Sequence, residues 1–244
     1  PISSSVQYNF DFGAKTRVQG PPPANQTQGV IQAFTYDSAA RLQQVTTVNT
    51  GAYTRWVYPT SQTIVNQFTT IQEGQGEAYS ATVFDGAGRV RAKASDFPNS
   101  TGHYSGRFTS YDIMGRAVSR TNPTEMSSSW TASGDDAVGW YSSTQTYDWK
   151  GRPLRTTNTD GTFKEASYGG CGCAGGEVVT LTDEGTTLPD GTIKKRQQRV
   201  YSDVLGRTWK TEVLNWDGAG PNGTGGSVYA TTISVFNARD QVTN

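Results

Sequence analysis

The sequence contains few of the residues from which metal centres and catalytic sites are usually built. Its 244 residues include one histidine, His103, and two cysteines, Cys171 and Cys173. A structural zinc site usually takes four ligands, and these three side chains fall short of that number. No Gly-x-Ser-x-Gly or comparable nucleophile motif accompanies the histidine. We therefore expect no metal, no cofactor and no enzymatic activity.

Leucine and long apolar runs are also scarce. The chain has six leucines, 34% hydrophobic residues and a mean hydropathy of −0.59. No segment shows helical periodicity, and none is long enough for a transmembrane helix. Residues that favour strands and turns are plentiful instead. The composition predicts an all-β fold without membrane insertion.

The charges balance, with 21 basic and 21 acidic residues, and no basic stripe stands out. Proteins that bind nucleic acid usually carry a strongly positive face or segment. We therefore expect no nucleic-acid partner.

A six-residue phrase, Tyr-Asp-x-x-Gly-Arg, recurs along the chain. The copies lie at 36–41, 84–89, 111–116, 147–152 and 201–207, with degenerate copies at 10–15 and 236–241. One copy has Phe for Tyr, one lacks the glycine, and the copy at 201–207 has one extra residue. The spacing is irregular, whereas regular solenoids keep a tighter period. A ribbon of hairpins with distal loops of variable length fits this spacing.

The phrase predicts a hairpin turn. Asp at the first turn position and Gly near its end are typical of a type I turn that a left-handed residue closes with a bulge. The aromatic residue then ends one strand and the arginine begins the next. Because the phrase recurs, we expect these residues to be structural and not catalytic. The predicted turn residues are Tyr36, Asp37, Arg41, Phe84, Asp85, Gly88, Arg89, Tyr111, Asp112, Gly115, Arg116, Tyr147, Asp148, Gly151, Arg152, Tyr201, Asp203, Gly206 and Arg207.

Proline and glycine clusters suggest how the chain is organised. Three consecutive prolines at 21–23 predict an N-terminal arm or linker over 1–29, which includes one degenerate repeat. Residues 30–244 then form the repeat domain. Two further stretches, 121–139 and 215–227, have the composition of loops.

Cys171 and Cys173 lie one residue apart in a glycine-rich segment. Three interpretations stay open. The thiols pack in a bend of small residues, they form a strained disulfide across one glycine, or they bridge to another chain.

The repeated turn resembles that of the rearrangement-hotspot (Rhs), or YD-repeat, family. The similarity covers about residues 30–244 and includes the Asp160-Gly161-Thr162 turn that follows Arg152. It implies a long antiparallel β-hairpin ribbon that curls into an open shell or spiral sheet. In the family such shells are secreted or displayed on surfaces, and many enclose a C-terminal toxin. The family's shell-closing segment and toxin domain are not recognisable here, so the resemblance is to a fragment of the β-shell region.

These observations lead to one hypothesis and one alternative. We expect a non-enzymatic structural segment of a secreted or surface bacterial protein, forming a β-sheet wall that encloses a toxin or self-assembles. Its partners would be more of the same polypeptide or copies of itself, joined through strand edges. The sequence starts at Pro1 and not Met, and we expect a piece of a longer chain. The alternative is a carbohydrate-binding or adhesion module, since aromatic side chains suit glycan contacts.

Overall fold

The computed structural model describes residues 3–60, 63–71, 76–128, 130–131, 133, 139–170 and 176–243. In these ranges the chain forms twenty β-strands, and the one helical element is a 3-10 turn at Pro221–Gly223. The strands belong to an eighteen-stranded antiparallel sheet and a separate two-stranded hairpin. The predicted all-β fold of antiparallel hairpins is confirmed. In chain order the strands are β1 (Ser5–Tyr8), β2 (Lys15–Gln19), β3 (Ile31–Tyr36), β4 (Leu42–Thr47), β5 (Tyr53–Val57), β6 (Ile64–Thr70), β7 (Glu77–Phe84), β8 (Val90–Asp96), β9 (Tyr104–Tyr111), β10 (Ala117–Thr121), β11 (Thr124–Met126), β12 (Ser142–Tyr147), β13 (Pro153–Thr157), β14 (Phe163–Gly169), β15 (Val178–Thr182), β16 (Thr186–Thr187), β17 (Ile193–Lys194), β18 (Gln197–Ser202), β19 (Thr208–Leu214) and β20 (Val228–Ile233).

The chain divides into two compact units. Unit 1 comprises Pro1–Thr109 and Thr121–Trp140. Each of its strands β1 to β8 pairs antiparallel with the next one along the chain, and β11 pairs with β9. Strands β1 and β2 lie in the predicted N-terminal arm, and β2 continues the sheet by pairing with β3. The domain boundary itself stays a prediction.

Unit 2 comprises Ser110–Arg120 and Tyr141–Asn244. Strands β12 to β15 again pair in sequence, and the sheet continues from β15 to β18, β19 and β20. The short hairpin of β16 and β17 lies in the connection between β15 and β18. Each connection is local in sequence, so each unit is a meander in which most contacts join neighbouring hairpins.

A small core in unit 1 forms where β11 pairs with the edge of β9 and its Met126 side chain lies over the face of the sheet. Met126 is 1% exposed, and Ala81, Ala94 and Gly106 lie below it on β7, β8 and β9. Gly106 is required here because a Cβ at this position would meet the Met126 sulfur. The sequence predicted a loop over 121–139, and three of its residues instead form β11 because β9 offers them a free edge.

Aromatic side chains extend this core. Phe108 on β9 meets Trp140 and Trp130 edge-on, with ring centroids 4.6 and 6.1 Å apart. Such edge-to-face pairs stabilise by about 0.5–1.5 kcal/mol beyond their buried area. Few other apolar side chains are buried, so strand pairing and contacts at the turns have a large share in stability. In the described residues the buried hydrophobic side chains are Ile31, Ala81, Ala92, Ala94, Met126 and Leu214.

Candidate functional site

The five good copies of the repeated phrase form turns of one geometry. The aspartate amide donates to the arginine carbonyl at 2.8–2.9 Å, and the amide of the fourth turn residue donates to the aspartate carbonyl at 2.9–3.0 Å. In every copy the arginine Nε donates to aspartate Oδ2 at 2.7 Å. Aspartate Oδ1 accepts from the arginine backbone amide at 2.8–3.0 Å. One carboxylate thus holds both ends of each turn.

The fourth position of each turn takes the left-handed conformation. The φ angles are 75° at Gly88, 83° at Gly115 and Gly151, and 79° at Gly206. The remaining copy has Ala40 in this position with φ at 58°. Only glycine adopts this region without a steric penalty. The turn geometry therefore depends more on the Asp–Arg contacts than on the glycine, because the copy without glycine keeps the same hydrogen bonds.

Exchanging the residue at this position should shift stability in opposite directions at two turns. We expect Gly115→Val to destabilise by about 1–2 kcal/mol, since a β-branched residue resists positive φ. Ala40→Gly should stabilise by about 0.5–1 kcal/mol because it relieves the same strain. Denaturant titrations followed by circular dichroism measure both. An unchanged midpoint for Gly115→Val would contradict the turn assignment.

Each turn aspartate has a lowered pKa. The Arg41 guanidinium has the largest effect at Asp37, and Arg207 does so at Asp203. At Asp85 and Asp112 the backbone amide of the turn arginine contributes most. Burial would raise the pKa of Asp148, but the Arg152 amide and guanidinium more than offset it. These hydrogen bonds favour the charged carboxylate, so the turns are held as ion pairs at neutral pH.

The turns are also tied to one another by arginines that lie over aromatic rings. In unit 2 the Arg116 guanidinium lies 4.8 Å from the centroid of Tyr147, the aromatic residue of the following turn. The Tyr147 hydroxyl donates to the carbonyl of Ala117, directly after that arginine, at 2.7 Å. Arg207 lies over Phe236 in the same way, at 4.7 Å. We call this series of Asp–Arg turns with their stacked aromatic residues the turn ladder.

Two members of the turn ladder lie outside the repeated phrase, and the sequence did not predict them. Tyr58 lies 4.3 Å from Arg41 and donates to the Leu42 carbonyl at 2.7 Å. Tyr168 lies 4.0 Å from Arg152 and donates to the Pro153 carbonyl at 2.8 Å. The sequence signal that could have identified these two tyrosines is their distance along the chain from the arginine. Each tyrosine follows its arginine by 16 or 17 residues (58 − 41 = 17; 168 − 152 = 16), which is the length of two strands and their connection.

The pairing register of the strands shifts at the same turns. The pairing shifts by one residue at Tyr36, Phe84, Tyr147 and Ser202, each directly before a turn aspartate. This is the bulge that a left-handed closing residue produces. In the copy at 201–207 the extra residue, Ser202, occupies the aromatic position. Tyr201 lies one residue earlier, and its hydroxyl donates to Glu212 at 2.8 Å.

A separate ion pair on unit 1 joins strands β5 and β7. Arg55 donates twice to Glu77, from Nε and Nη2, at 2.7 Å each. The Tyr53 hydroxyl donates to the same carboxylate at 2.7 Å, and the Phe68 ring lies 4.0 Å from the guanidinium. The Arg55 contact first, and the Tyr53 contact second, lower the pKa of Glu77 from 4.5 to about 2.

The lowered carboxyl pKa values predict acid destabilisation. A carboxylate whose pKa falls on folding stabilises the fold at every pH above its unfolded value, and that contribution is lost as pH falls through its folded value. We therefore expect the melting temperature to be constant above about pH 5 and to fall between about pH 4 and pH 2. Glu77→Gln should show a smaller fall over the same range. A melting temperature that does not change down to pH 2 would contradict this assignment.

Other predicted positions show no clustered chemistry. Cys171 and Cys173 lie outside the described residues, so their three interpretations stay open. His103 is exposed in a loop, where its backbone amide donates a hydrogen bond to Ser100 Oγ at 2.9 Å. Among the described residues no three His, Cys, Asp or Glu side chains are placed to hold a metal ion. In the same ranges no helix has the length and apolar character needed to cross a membrane.

Comparison with known proteins gives a structural likeness only. No protein-family model and no curated protein matches the sequence. The fold is similar to a chain in a crystal structure of TcdB2-TccC3, with a TM-score of 0.69, 13% identity, and coverage of 99% of this chain and 14% of that one. TcdB2-TccC3-Cdc42 also matches, at a TM-score of 0.46, 13% identity, and 99% and 14% coverage. A Photorhabdus luminescens Tc holotoxin pore matches at 0.35, 14% identity, and 99% and 16% coverage.

The TM-score of 0.69 shows that the two chains share a fold, and at 13% identity the likeness extends to the fold alone. The chain spans about one seventh of the matched chain, as the 14% coverage states. This protein has the antiparallel β-fold of a segment of the matched chain in TcdB2-TccC3.

Proposed function

We propose that this chain is a non-enzymatic wall segment of a secreted or surface-displayed YD-repeat protein. The observation that carries the proposal is the turn ladder. The aspartate of every good turn is engaged by its own arginine, and Arg41, Arg116, Arg152 and Arg207 each lie over an aromatic ring further along the chain. The repeated residues therefore hold the hairpins in register, which is a structural role. The likeness to a segment of a toxin chain supports a wall that encloses cargo.

The two end strands support continuation of the wall beyond this chain. In the strand registers of the described residues β1 has β2 as its partner, and β20 has β19. All six residues of β20, Val228–Ile233, are exposed, and none is charged or proline. Natural proteins protect such edges with charges, prolines or covering segments. We infer that further strands pair with β20, either from the same polypeptide or from a second copy.

Light scattering of the full chain tests this proposal. The chain mass is 26.3 kDa, and we expect particles of at least twice that mass, formed by edge pairing. A variant with Tyr229→Lys and Thr231→Lys places two charges on β20 and should return the particles to the monomer mass. Thr186→Lys with Thr187→Lys, on the separate hairpin, adds the same charge and should leave the mass unchanged.

The outcomes separate the two forms of the proposal. A mass that falls only in the β20 variant assigns the free edge to self-assembly. A monomer in every case would exclude self-assembly and leave the wall segment dependent on strands of a longer polypeptide. If the parent chain catalysed a hydrolysis or a group transfer, and Gly115→Val and Ala40→Gly kept that activity, the result would contradict the structural role.

A further inference from the structure

One face of unit 1 carries a row of cations with hydroxyl groups beside it. Thr82, Lys93 and Arg107 lie directly opposite one another across β7, β8 and β9. The neighbouring row two residues along is Ser80, Ser95 and Ser105. These six side chains share one face because strand residues alternate between faces. We call this set the cationic face.

The central pair of this face is electrostatically unfavourable. Lys93 and Arg107 are cross-strand partners, and like charges in that position destabilise a sheet. Among the described residues no carboxylate lies within ion-pair distance of either side chain. The carboxylates Glu77 and Asp96 belong to β7 and β8 but fall on the alternate positions, which face the other side of the sheet. Glu125 on β11 is the cross-strand partner of Ser105 and lies on the side of the cationic face, but it is buried and accepts a hydrogen bond from the Gly102 amide. Among the described residues Lys93 and Arg107 are therefore adjacent cations without an ion-pair partner.

The same side chains line a shallow groove of about 400 Å³. Gln67 on β6 extends its floor, and Ser80, Ser95 and Ser105 supply hydroxyls along it. Arg91 adds a third exposed cation two residues from Lys93 on the same strand. No aromatic ring is among the described lining residues, so the groove has no platform on which a nucleobase or a sugar ring would stack.

We propose that the cationic face binds an acidic polypeptide segment. The carboxylates of the segment would pair with Lys93 and Arg107 and remove their mutual repulsion. The serine hydroxyls and the Gln67 amide would hydrogen-bond its peptide groups. This binding does not depend on the wall function, since it needs only unit 1 and its own charges.

Binding can be measured with a defined probe on the full chain. The probe is a fluorescein-labelled peptide of five Glu-Ser repeats, and its matched control replaces each glutamate with glutamine. In fluorescence anisotropy at low salt we expect the glutamate peptide to bind at least tenfold tighter than the glutamine peptide. Lys93→Gln and Arg107→Gln should each weaken binding about fivefold or more. Lys15→Gln on β2, which removes an equal charge elsewhere in unit 1, should leave it within twofold.

Folding is checked on the same variants. Because Lys93→Gln removes a repulsive pair, its melting temperature should equal or exceed that of the parent chain, and the difference should shrink in 1 M salt. Three results would overturn the proposal: equal binding of the two peptides, equal losses in the Lys15 variant, or tighter binding of a heparin fragment or a thymidine decamer. The last result would assign the face to another class of polyanion.

Discussion

Met126→Ala is expected to destabilise the protein by about 2–5 kcal/mol, the range for removing a large apolar side chain from a packed site. Met126 is 1% exposed and fills the space that Gly106 leaves open on the sheet. Its neighbour Glu125 accepts a hydrogen bond from the Gly102 amide at 2.6 Å, so the strand that carries both residues is fixed at two points. The surrounding backbone has little freedom to close the cavity, which places the effect in the upper part of that range.

The only other methionine supplies the control. Met114 lies at the tip of a turn and is 75% exposed, so Met114→Ala should change stability by less than about 0.5 kcal/mol. Guanidinium unfolding followed by tryptophan fluorescence compares the two variants, since Trp130 reports on the neighbouring core. Similar midpoints for both alanine variants would contradict the placement of the Met126 side chain over the sheet.

Tyr147→Ala is expected to destabilise by about 2–3 kcal/mol, because it removes a half-buried ring and leaves a strand-end carbonyl without its donor. The ring lies under Arg116, and the hydroxyl donates to the Ala117 carbonyl at 2.7 Å, with Gln145 Oε1 3.0 Å away. Loss of this residue disconnects two successive turns of the turn ladder. Thermal and denaturant unfolding of the full chain measure the change in the free energy of unfolding.

Two further variants separate the contribution of the hydroxyl from that of the ring and provide a control. Tyr147→Phe keeps the stacked ring and loses the hydroxyl, and should destabilise by about 1 kcal/mol. Trp149→Ala removes an aromatic side chain that is 87% exposed at the tip of the same turn and should have almost no effect. If Tyr147→Ala were no more harmful than Trp149→Ala, the turn ladder would have no part in stability.

The turns were predictable from the sequence because their determinants are local. An aspartate, a glycine and an arginine within five residues specify a hairpin turn and its bulge, and the structure gives Gly115 and Gly151 the same φ of 83°. The all-β fold followed from the same short-range patterns. Even the copy without glycine kept its geometry, since Asp37 and Arg41 make the same contacts as the other pairs.

What the sequence did not predict depends on contacts between distant residues. Tyr58 and Tyr168 join the turn ladder through arginines two strands away, and no local motif surrounds them. Strand β11 forms in a segment whose composition suits a loop, because the edge of β9 and the gap at Gly106 receive it. The cationic face is visible only after the register places Lys93 opposite Arg107.

The turn ladder also determines how each unit would respond to a pulling force. Its contacts join each turn either to the aromatic residue of the following turn, as with Arg116 and Tyr147, or to a tyrosine 16 or 17 residues along the chain, as with Arg152 and Tyr168. Force applied to one terminal hairpin loads a single Arg–aromatic contact and one pair of strands at a time. Each unit should therefore peel open hairpin by hairpin at low force, as a zipper does, and close again in the reverse order when the load is released.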